Sequence, residues 1–362
     1  MGDFRQLTAN PLLLSFRAMS TLVEVGRLAG VTPATVSNVL RGRGRVSEAT
    51  RERVLAAVRE LGYRPNLNAR ALVEGRPHTI ALIVSSIANP FYPEFALAAE
   101  KAVRRHDYFL LVCNTNNDPA QETAYLDAVG GSLSQGVLVM HADFVKVDEL
   151  VELRRRGVPV VLCMWEKPDQ LPPLPCVAVD FYQAGIIAAE HLLKLGHTRI
   201  GAVVGSEPTG NHIWRYRGFC DALERAGVPH PPEEVRFGAD TIDAGRNGAH
   251  GLLAAVPDLT AIFVSNDLPA LGVLQAAADL GLEVPADLSV IGVTDIQFAH
   301  QVRPALTTVA VPTEEAADLA VKLMMEVIED GTTEVTRIAV TSSPQLVVRQ
   351  STGRVRRSRS SH

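Results

Sequence analysis

Apolar positions recur at helical spacing in the first part of the chain, beginning near residue 20. Leu22, Val25 and the pair Leu28 and Ala29 recur at intervals of three to four residues, which predicts one apolar face of a helix. Thr21 begins a capping box with the glutamate three residues later, and Gly30 is typical of a helix end. The pattern therefore predicts a first helix between Thr21 and Gly30.

A second helix is predicted directly afterwards, with Thr32 as N-cap and Pro33 at the first helical position. Its apolar face would be formed by Val36, Val39 and Leu40. The opposite face and its border carry small or hydrogen-bonding residues: Pro33, Ala34, Thr35, Ser37, Asn38 and Arg41. Such a face fits a DNA major groove, because bulky side chains would hold the backbone away from the bases.

A third helix is predicted from near Ser47 to Gly62, and its apolar face would be Val54, Leu55, Val58 and Leu61. Its outer face is rich in arginine. The three helices together predict a helix-turn-helix head. An ordinary basic helical hairpin is the alternative, and the agreement of cap residues, tight connection and local charge argues against it.

Residues 66–72 form a short segment that is too short to be a stable helix by itself in water. We expect it to fold when two copies meet over a DNA minor groove. Leu72 would then insert into a base step, while Asn68 and Arg70 face sugar and phosphate. A plain linker is the alternative interpretation.

After residue 77, short β-rich runs alternate with helical stretches. The runs are residues 80–84, 109–113, 136–140, 158–164, 199–204, 261–264 and 288–293. Alternation of this kind favours parallel sheets that are covered by helices on both faces.

Charge is distributed unevenly along the chain, although its net value is only −5. Residues 20–76 hold ten Arg, no Lys and five Glu, a net charge of +5, whereas residues 77–353 carry −15. The tail after Gly353 adds four Arg. A basic head on an acidic body indicates a polyanion partner at one end of the chain.

Other functional classes lack their sequence signals. Apolar runs stay well below the roughly 20 residues needed to span a bilayer, and residues 1–19, the expected disordered leader, do not resemble a secretory signal. Translation could begin at Met1 or Met19. The four cysteines form no CxxC pair, which favours buried thiols in a reducing cytoplasm over disulfides or metal ligands. Nucleotide-binding and catalytic motifs are absent, so we expect neither an enzyme nor a cofactor or metal.

The chain resembles the LacI/GalR family of bacterial transcription regulators. The resemblance is carried by VxRLAGVTPATVSNVLRG, RVSEATRERVLAAVRELGYRPN and ARAL in the head, and by ALIVSSIANPFY, LGHTRIG, SND, SVIG, PALTTV and LVVRQSTG in the body. It extends over about residues 20 to 353. It implies a homodimeric, sequence-specific DNA-binding regulator, a repressor, with a small-molecule effector in the cleft of a periplasmic-binding-protein-like core. A pure solute-binding protein is the alternative that the body alone would favour.

The resemblance implies a division into an all-α head, residues 20–65, a hinge, residues 66–76, and an α/β core of two Rossmann-like subdomains, residues 77–353. The first subdomain would comprise residues 79–178 and 312–334, and the second residues 179–311 and 335–353. Residues 354–362 would form a basic disordered tail. The residues expected to contact DNA are Thr21, Thr32, Pro33, Ala34, Thr35, Ser37, Asn38, Arg41, Arg45, Ser47, Asn68, Ala69, Arg70 and Leu72.

The expected effector contacts follow predicted strands, because ligands bind beyond the carboxyl ends of strands in open α/β sheets. They are Phe91, Tyr92, Trp165, Asn266, Thr294 and Asp295. The resemblance implies one further contact, Arg215, because related regulators carry an effector-binding arginine at this place in the WRYRGF segment. Asp267 is as well explained by helix capping as by ligand contact.

Several positions depart from the family pattern. Thr294 replaces an aspartate, with Asp295 beside it, and Met164 and Trp165 stand where an acidic residue is usual. These changes lead us to expect a pocket less polar than a typical sugar site, and an effector flatter or more apolar than a hexose. The resemblance leaves open a sugar or a related metabolite as the effector. In the head, Asn38 replaces a common arginine and could pair with adenine. The operator sequence is therefore expected to be this chain's own.

Overall fold

The computed structural model describes residues 20–40, 42, 44–64, 77–140, 147–166, 172–208, 210–331 and 337–355. The chain divides into two compact units: residues 20–64 belong to the first and residues 77–355 to the second. The predicted contacts Arg41, Asn68, Ala69, Arg70 and Leu72 lie outside the described residues, as do the expected leader and most of the expected tail.

The first unit is a three-helix head. Its helices are α1, Leu22–Ala29, α2, Pro33–Leu40, and α3, Glu48–Leu61. Its core contains Val25, Ala29, Val36, Val39, Val54 and Ala57. Two of the predicted core positions are wrong: Leu28 is 47% and Leu55 37% exposed. Ala29, which the predicted apolar face included, is buried, and so is Ala57, which it did not include. Such small side chains let the three short helices approach closely.

Cap residues fix the ends of these helices as the sequence predicts. The Thr21 hydroxyl accepts a hydrogen bond from the Glu24 amide at 3.3 Å, and the Glu24 carboxylate accepts one from the Thr21 amide at 2.8 Å. Gly30 ends α1 in the left-handed region, at φ 67°. Gly26 allows the turn to close, because a Cβ there would lie 2.8 Å from the Val31 carbonyl oxygen.

The second unit contains two six-stranded sheets. In the first sheet the strand order is β11-β5-β4-β3-β1-β2, with all pairs parallel. Its strands are β1, Thr79–Val84, β2, Phe109–Asn114, β3, Gly136–Met140, β4, Val160–Trp165, β5, Cys176–Ala178, and β11, Ile338–Val340.

The second sheet has the order β12-β10-β9-β8-β6-β7, and its pairs are parallel except that of β10 with β12. Its strands are β6, Ile200–Val204, β7, Val235–Phe237, β8, Ala261–Val264, β9, Ser289–Thr294, β10, Thr307–Ala310, and β12, Gln345–Val347. The seven predicted runs correspond to strands of the two sheets, whereas the short strands β5, β7, β10, β11 and β12 were not among the predicted runs.

Helices cover both faces of each sheet. They are α4, Phe91–Arg104, α5, Pro119–Ala128, α6, Val147–Arg155, α7, Phe181–Lys194, α8, Ile213–Arg225, α9, Ile242–Ala255, α10, Asp267–Asp279, α11, Phe298–Gln301, and α12, Thr313–Asp330. A π-helical turn spans Val129–Leu133 and a 3-10 turn Pro232–Glu234. The buried clusters lie between these helices and the sheets. Each sheet with its helices forms one lobe.

The chain crosses between the lobes three times. It passes from β5 into α7 and returns from β10 into α12, near the crossings that the sequence predicted. The expected boundary at residue 335 needs correction, because β11 pairs with β5 in the first sheet. The last crossing therefore follows Val340, and β12 joins the second sheet beside β10.

Among the residues that the structure describes, no helix combines the length and apolar character that crossing a membrane requires.

Candidate functional site

In the head, α2 presents the polar face that its sequence predicts. Thr32, Pro33, Ala34 and Asn38 are exposed, and Thr35 and Ser37 are half-buried. The Thr32 hydroxyl accepts a hydrogen bond from the Thr35 amide at 3.2 Å and so caps the helix. Thr21, Arg45 and Ser47 are also exposed, at the starts of α1 and α3 or just before. A short capped helix with small exposed side chains can enter a major groove closely.

In the second unit, a cavity of about 720 Å³ opens between the lobes. Its walls are the segments that follow the carboxyl ends of strands, where open α/β sheets bind ligands. The first lobe contributes residues after β1 and β2, and the second lobe contributes residues after β6 and β7 and from α9 and α10. We call this cavity and the residues at its inner end the cleft.

Arg215 lies at the inner end of the cleft. It is carried by α8, which packs closely against α7, because a Cβ at Gly185 would lie 1.9 Å from the Arg215 carbonyl oxygen. This contact places the guanidinium 3.9 Å from the centre of the Phe181 ring. Two of its nitrogens donate to Glu166, at 2.5 and 3.3 Å, and the third donates to the Ser265 carbonyl oxygen at 2.9 Å.

Asp240 is the centre of a second polar group in the cleft. Its Oδ2 accepts hydrogen bonds from the Asn89 amide at 2.6 Å and from the Asn266 amide at 3.0 Å. The Asn266 carbonyl in turn accepts one from the Thr294 hydroxyl at 3.2 Å. Desolvation raises the pKa of Asp240 to about 7, although Arg215 and Asn89 oppose that shift.

His212 and Tyr92 complete the inner end of the cleft. The His212 Nδ1 lies 3.0 Å from the Ser265 hydroxyl, and burial lowers the pKa of His212 well below its usual range. The histidine is therefore neutral near pH 7. Burial also raises the pKa of Tyr92 to about 12, so its hydroxyl is a neutral donor and acceptor. Phe91 contributes its ring beside Tyr92 at the same end.

Asp267 has a structural role in the described residues. Its carboxylate accepts hydrogen bonds from the Thr308 hydroxyl at 2.6 Å and from the Ile296 amide at 3.0 Å. It thereby holds the turn after β9, where Thr294 and Asp295 have φ angles of 114° and 59°. Asn266, and not Asp267, occupies the N-cap position of α10.

The structure brings together Phe91, Tyr92, Arg215, Asn266 and Thr294 around the cleft, in contact with its lining or its hydrogen-bond network. Asp295 lies in the turn after β9, but its carboxylate pairs with Arg349 at 2.6 Å. It is therefore engaged outside the lining of the cavity.

Trp165 is placed differently from the sequence prediction. It is 4% exposed and packs in the core on the other face of the first sheet, with Ile83, Leu162 and Leu174. Regular alternation along β4 would place Trp165 on the same face as Cys163. Met164 has a φ of 57° and lies with Cys163, so Trp165 lies instead on the face of Leu162. Met164 and Glu166 line the cleft. Glu166, one residue further along the chain, contributes a carboxylate to the cleft.

The cleft is also more polar than expected. Asn89, Glu166, His212 and Asp240 were not among the predicted contacts, and each lies in its wall. Asn89 lies two residues before Phe91, in the same segment after β1, so its position was a usable signal. Asp240 follows the three-residue strand β7, which gave no clear pattern. The expectation of a weakly polar pocket is corrected accordingly.

Potential metal ligands and cysteines were compared among the residues that the structure describes. No group of three or more His, Cys, Asp or Glu side chains is arranged to hold a metal ion there. All four cysteines are free thiols, three of them buried.

A helix-turn-helix head joined to a two-lobed core with a polar cleft defines the class of ligand-responsive DNA-binding regulators. Comparison with family models agrees: residues 21–66 match the model of bacterial regulatory proteins of the lacI family, and residues 189–352 match a periplasmic binding protein-like domain. The chain belongs to the LacI family of bacterial regulatory proteins.

Curated relatives have similar length and organisation. The HTH-type transcriptional regulator DegA of Bacillus subtilis is 35% identical over 298 residues, which are 82% of this chain and 88% of that protein. The HTH-type transcriptional repressor PurR of Pectobacterium carotovorum is 32% identical, over 92% of this chain and 100% of that protein. The chain therefore spans nearly the whole length of these relatives.

Solved structures share the fold. A complex of the transcriptional regulator CelR with cellobiose is 30% identical, with a TM-score of 0.69 over 92% of this chain and 99% of that chain. A LacI-family regulator from Silicibacter pomeroyi is 28% identical, with a TM-score of 0.74 over the same shares. The chain is thus a DNA-binding transcriptional regulator with an effector-binding core, and the predicted fold class is confirmed.

Proposed function

We propose that this chain is a homodimeric repressor that binds a nearly palindromic operator and responds to a small-molecule effector. The observation that carries the proposal is the presence, in one chain, of the exposed polar face of α2 and of a cleft lined from both lobes by hydrogen-bonding groups. We further propose that it acts in the cytoplasm, where its DNA partner is found, and that it has no catalytic activity.

On the DNA side, α2 enters the major groove of a half-site. Asn38 offers a side-chain amide that can pair with adenine, and Pro33 and Ala34 allow close approach. Thr21, Arg45 and Ser47 lie at helix starts, where exposed polar groups suit phosphate contacts. Residues 66–72 pair with their copy in the partner over the minor groove, with Leu72 inserted into a base step.

On the effector side, the chemistry of the cleft supports a sugar or another polyhydroxylated metabolite. Asn89, Asn266 and Asp240 present amide and carboxylate groups, which recognise hydroxyls in both directions. The similar CelR structure contains cellobiose, and that of a LacI-family regulator from Enterococcus faecium contains ribose. A polyhydroxylated effector fits these groups better than the effector that the sequence predicts, which is flatter or more apolar than a hexose.

The two lobes offer a mechanism for the response. Hydrogen bonds of Asn89 with Asp240 and of Glu94 with the Gln297 amide connect the lobes across the cleft. An effector that binds between these groups stabilises one relative position of the lobes over another. A shift between two states requires such a difference in affinity, and it would change the geometry of the dimer and its heads.

Exposed apolar side chains support the dimer. The edge strand β2 exposes Phe109 to 57% and Val112 to 42%, and α4 exposes Leu97 to 58%. An edge strand with apolar side chains is normally covered. A second copy of this chain is the partner we propose, and sedimentation at micromolar concentration should give twice the mass of 39.0 kDa.

Genome-wide mapping of bound sites, followed by gel-shift titration of one such site, tests the proposal. We expect specific binding that weakens steeply with salt, and its loss or gain on addition of one sugar from a panel that includes ribose and cellobiose. Binding that is equally strong on unrelated DNA would contradict the proposal.

A further inference from the structure

We propose that Glu166 is a specificity-determining residue of the cleft: its carboxylate is a built-in counter-ion of Arg215, so that the cleft admits neutral effectors and rejects anionic ones. This inference rests on the proposed function, because it concerns the effector of the same cleft. It adds the charge class of the effector and the residue that sets it.

All three nitrogens of the Arg215 guanidinium already donate a hydrogen bond within the protein. Its Nη2 and Nε donate to the two carboxylate oxygens of Glu166, at 2.5 and 3.3 Å, and its Nη1 donates to the Ser265 carbonyl oxygen. One face of the guanidinium lies against the Phe181 ring. A two-point contact of this kind is the geometry that an arginine would otherwise offer to a ligand carboxylate or phosphate. Glu166 therefore occupies the place of an anionic ligand.

Both partners are withdrawn from water, because the Arg215 side chain is 3% exposed and that of Glu166 7%. Charges buried in this way must be paired, and removal of one partner leaves the other uncompensated. An anionic effector that took Arg215 would thus strand the Glu166 carboxylate in the same buried place. A neutral effector leaves the pair intact.

The remaining wall of the cavity offers an anionic effector no positive charge in place of Arg215. Among the described residues that line it there is no Lys or Arg, whereas Glu207, Asp240 and Asp243 contribute carboxyl groups. His212 is held neutral by burial. The field in the cleft therefore disfavours an anion even before Glu166 is displaced.

The pair also connects the lobes, since Glu166 follows β4 in the first lobe and Arg215 lies on α8 in the second. An anion that separated the pair would replace a bond between the lobes. Rejection of anions and maintenance of the lobe position thus depend on the same contact.

Acetate is a suitable probe, because it is the end group of the Glu166 side chain. We compare the full-length wild type, Glu166→Ala, and the double variant Glu166→Ala/Arg215→Ala by thermal unfolding and calorimetry, in sodium acetate against sodium chloride of equal ionic strength. Glu207→Ala, which removes an exposed carboxylate from the same cavity, is the matched control.

We expect Glu166→Ala to unfold at a lower temperature than the double variant and to recover with acetate in a saturable way. Its affinity for acetate should exceed that of the wild type by about tenfold or more, because a buried guanidinium then lacks its counter-ion. The wild type, Glu207→Ala and the double variant should not distinguish acetate from chloride. Should Glu166→Ala fail to fold in chloride, its folded yield after refolding in acetate gives the same comparison.

Acetate binding by the wild type as tight as by Glu166→Ala would overturn the proposal. So would a folded Glu166→Ala that is as stable as the double variant and indifferent to acetate. Gel-shift binding of the wild type to its operator is measured separately, so failure of this inference is distinguishable from failure of the proposed function.

Discussion

The side-chain amide of Asn89 donates to the carboxylate of Asp240 at 2.6 Å, and this hydrogen bond joins the two lobes. Oδ1 of the same carboxylate is buried without a hydrogen-bond partner among the described residues. Asp240 thus holds the lobes together through one oxygen and leaves the other unsatisfied, which is costly for an ionised group. This arrangement makes it sensitive to pH.

Replacement of Asp240 by Asn should change how stability depends on pH. The folded protein raises the pKa of Asp240 to about 7 from an ordinary value of 3.8, so it binds the proton more tightly than the unfolded chain. The contribution of this group is then fully present below about pH 4 and is lost as pH rises towards 7.

Urea unfolding at several pH values checks this. The free energy of unfolding of the wild type, relative to Asp240→Asn, should fall between about pH 4 and 7 and stay constant above. A difference that does not vary with pH would show that folding does not raise the pKa of Asp240. Comparison within the pair cancels the opposite contribution of His212, whose lowered pKa makes stability decrease as pH falls.

Asp267→Ala should destabilise the second unit by about 3 kcal/mol, because the Thr308 hydroxyl and the Ile296 amide would lose a buried acceptor. Asp279→Ala is the control, since Asp279 forms an exposed pair with Arg246 and should cost much less. Equal losses in denaturant unfolding would argue against a holding role of Asp267 in the turn after β9.

Gly218→Ala should destabilise the second unit by about 3 kcal/mol and weaken effector binding. A Cβ at Gly218 would lie 2.0 Å from the Tyr182 carbonyl oxygen, so α7 and α8 would have to separate and move Arg215. Gly251→Ala, where the nearest atom outside the helix would be 3.7 Å away, should leave stability unchanged or raise it by up to about 1 kcal/mol. Thermal unfolding of both variants gives the comparison, and similar midpoints would contradict the close packing of α7 and α8.

Asn38→Ala should weaken binding to the operator by about 1–3 kcal/mol and reduce discrimination at one base pair, while binding to unrelated DNA changes little. Ala56→Ser, an exposed change on α3, is a control that should bind like the wild type. Gel-shift titration on the operator and on single-base variants measures both. Equal weakening on every sequence would assign Asn38 to phosphate contact.

Leu72→Ala should weaken specific binding while largely sparing non-specific binding, because only a specific complex would insert the side chain into a base step. Competition between operator and unrelated DNA measures the ratio. An equal loss of specific and non-specific binding would contradict the insertion of Leu72 into a base step.

The sequence by itself determined the head and the class of the body. Helical spacing, cap residues and Gly30 were sufficient for α1 to α3, because these signals are local, and long apolar runs were sufficient for the central strands. The exposed polar face of α2 followed from the same periodicity.

Only the tertiary structure decided the cleft. Glu166 and Arg215 are 49 residues apart and Asn89 and Asp240 are 151 apart, so their pairing depends on how two lobes meet. The alternation of side chains along β4 is interrupted at Met164, which has a positive φ, and Trp165 therefore lies in the core on the other face of the sheet. The pairing of β4 with β5 shifts at the same place. Local pattern specifies elements because it acts through neighbouring residues, whereas the charge and polarity of a site arise from residues that the chain brings together only when it folds.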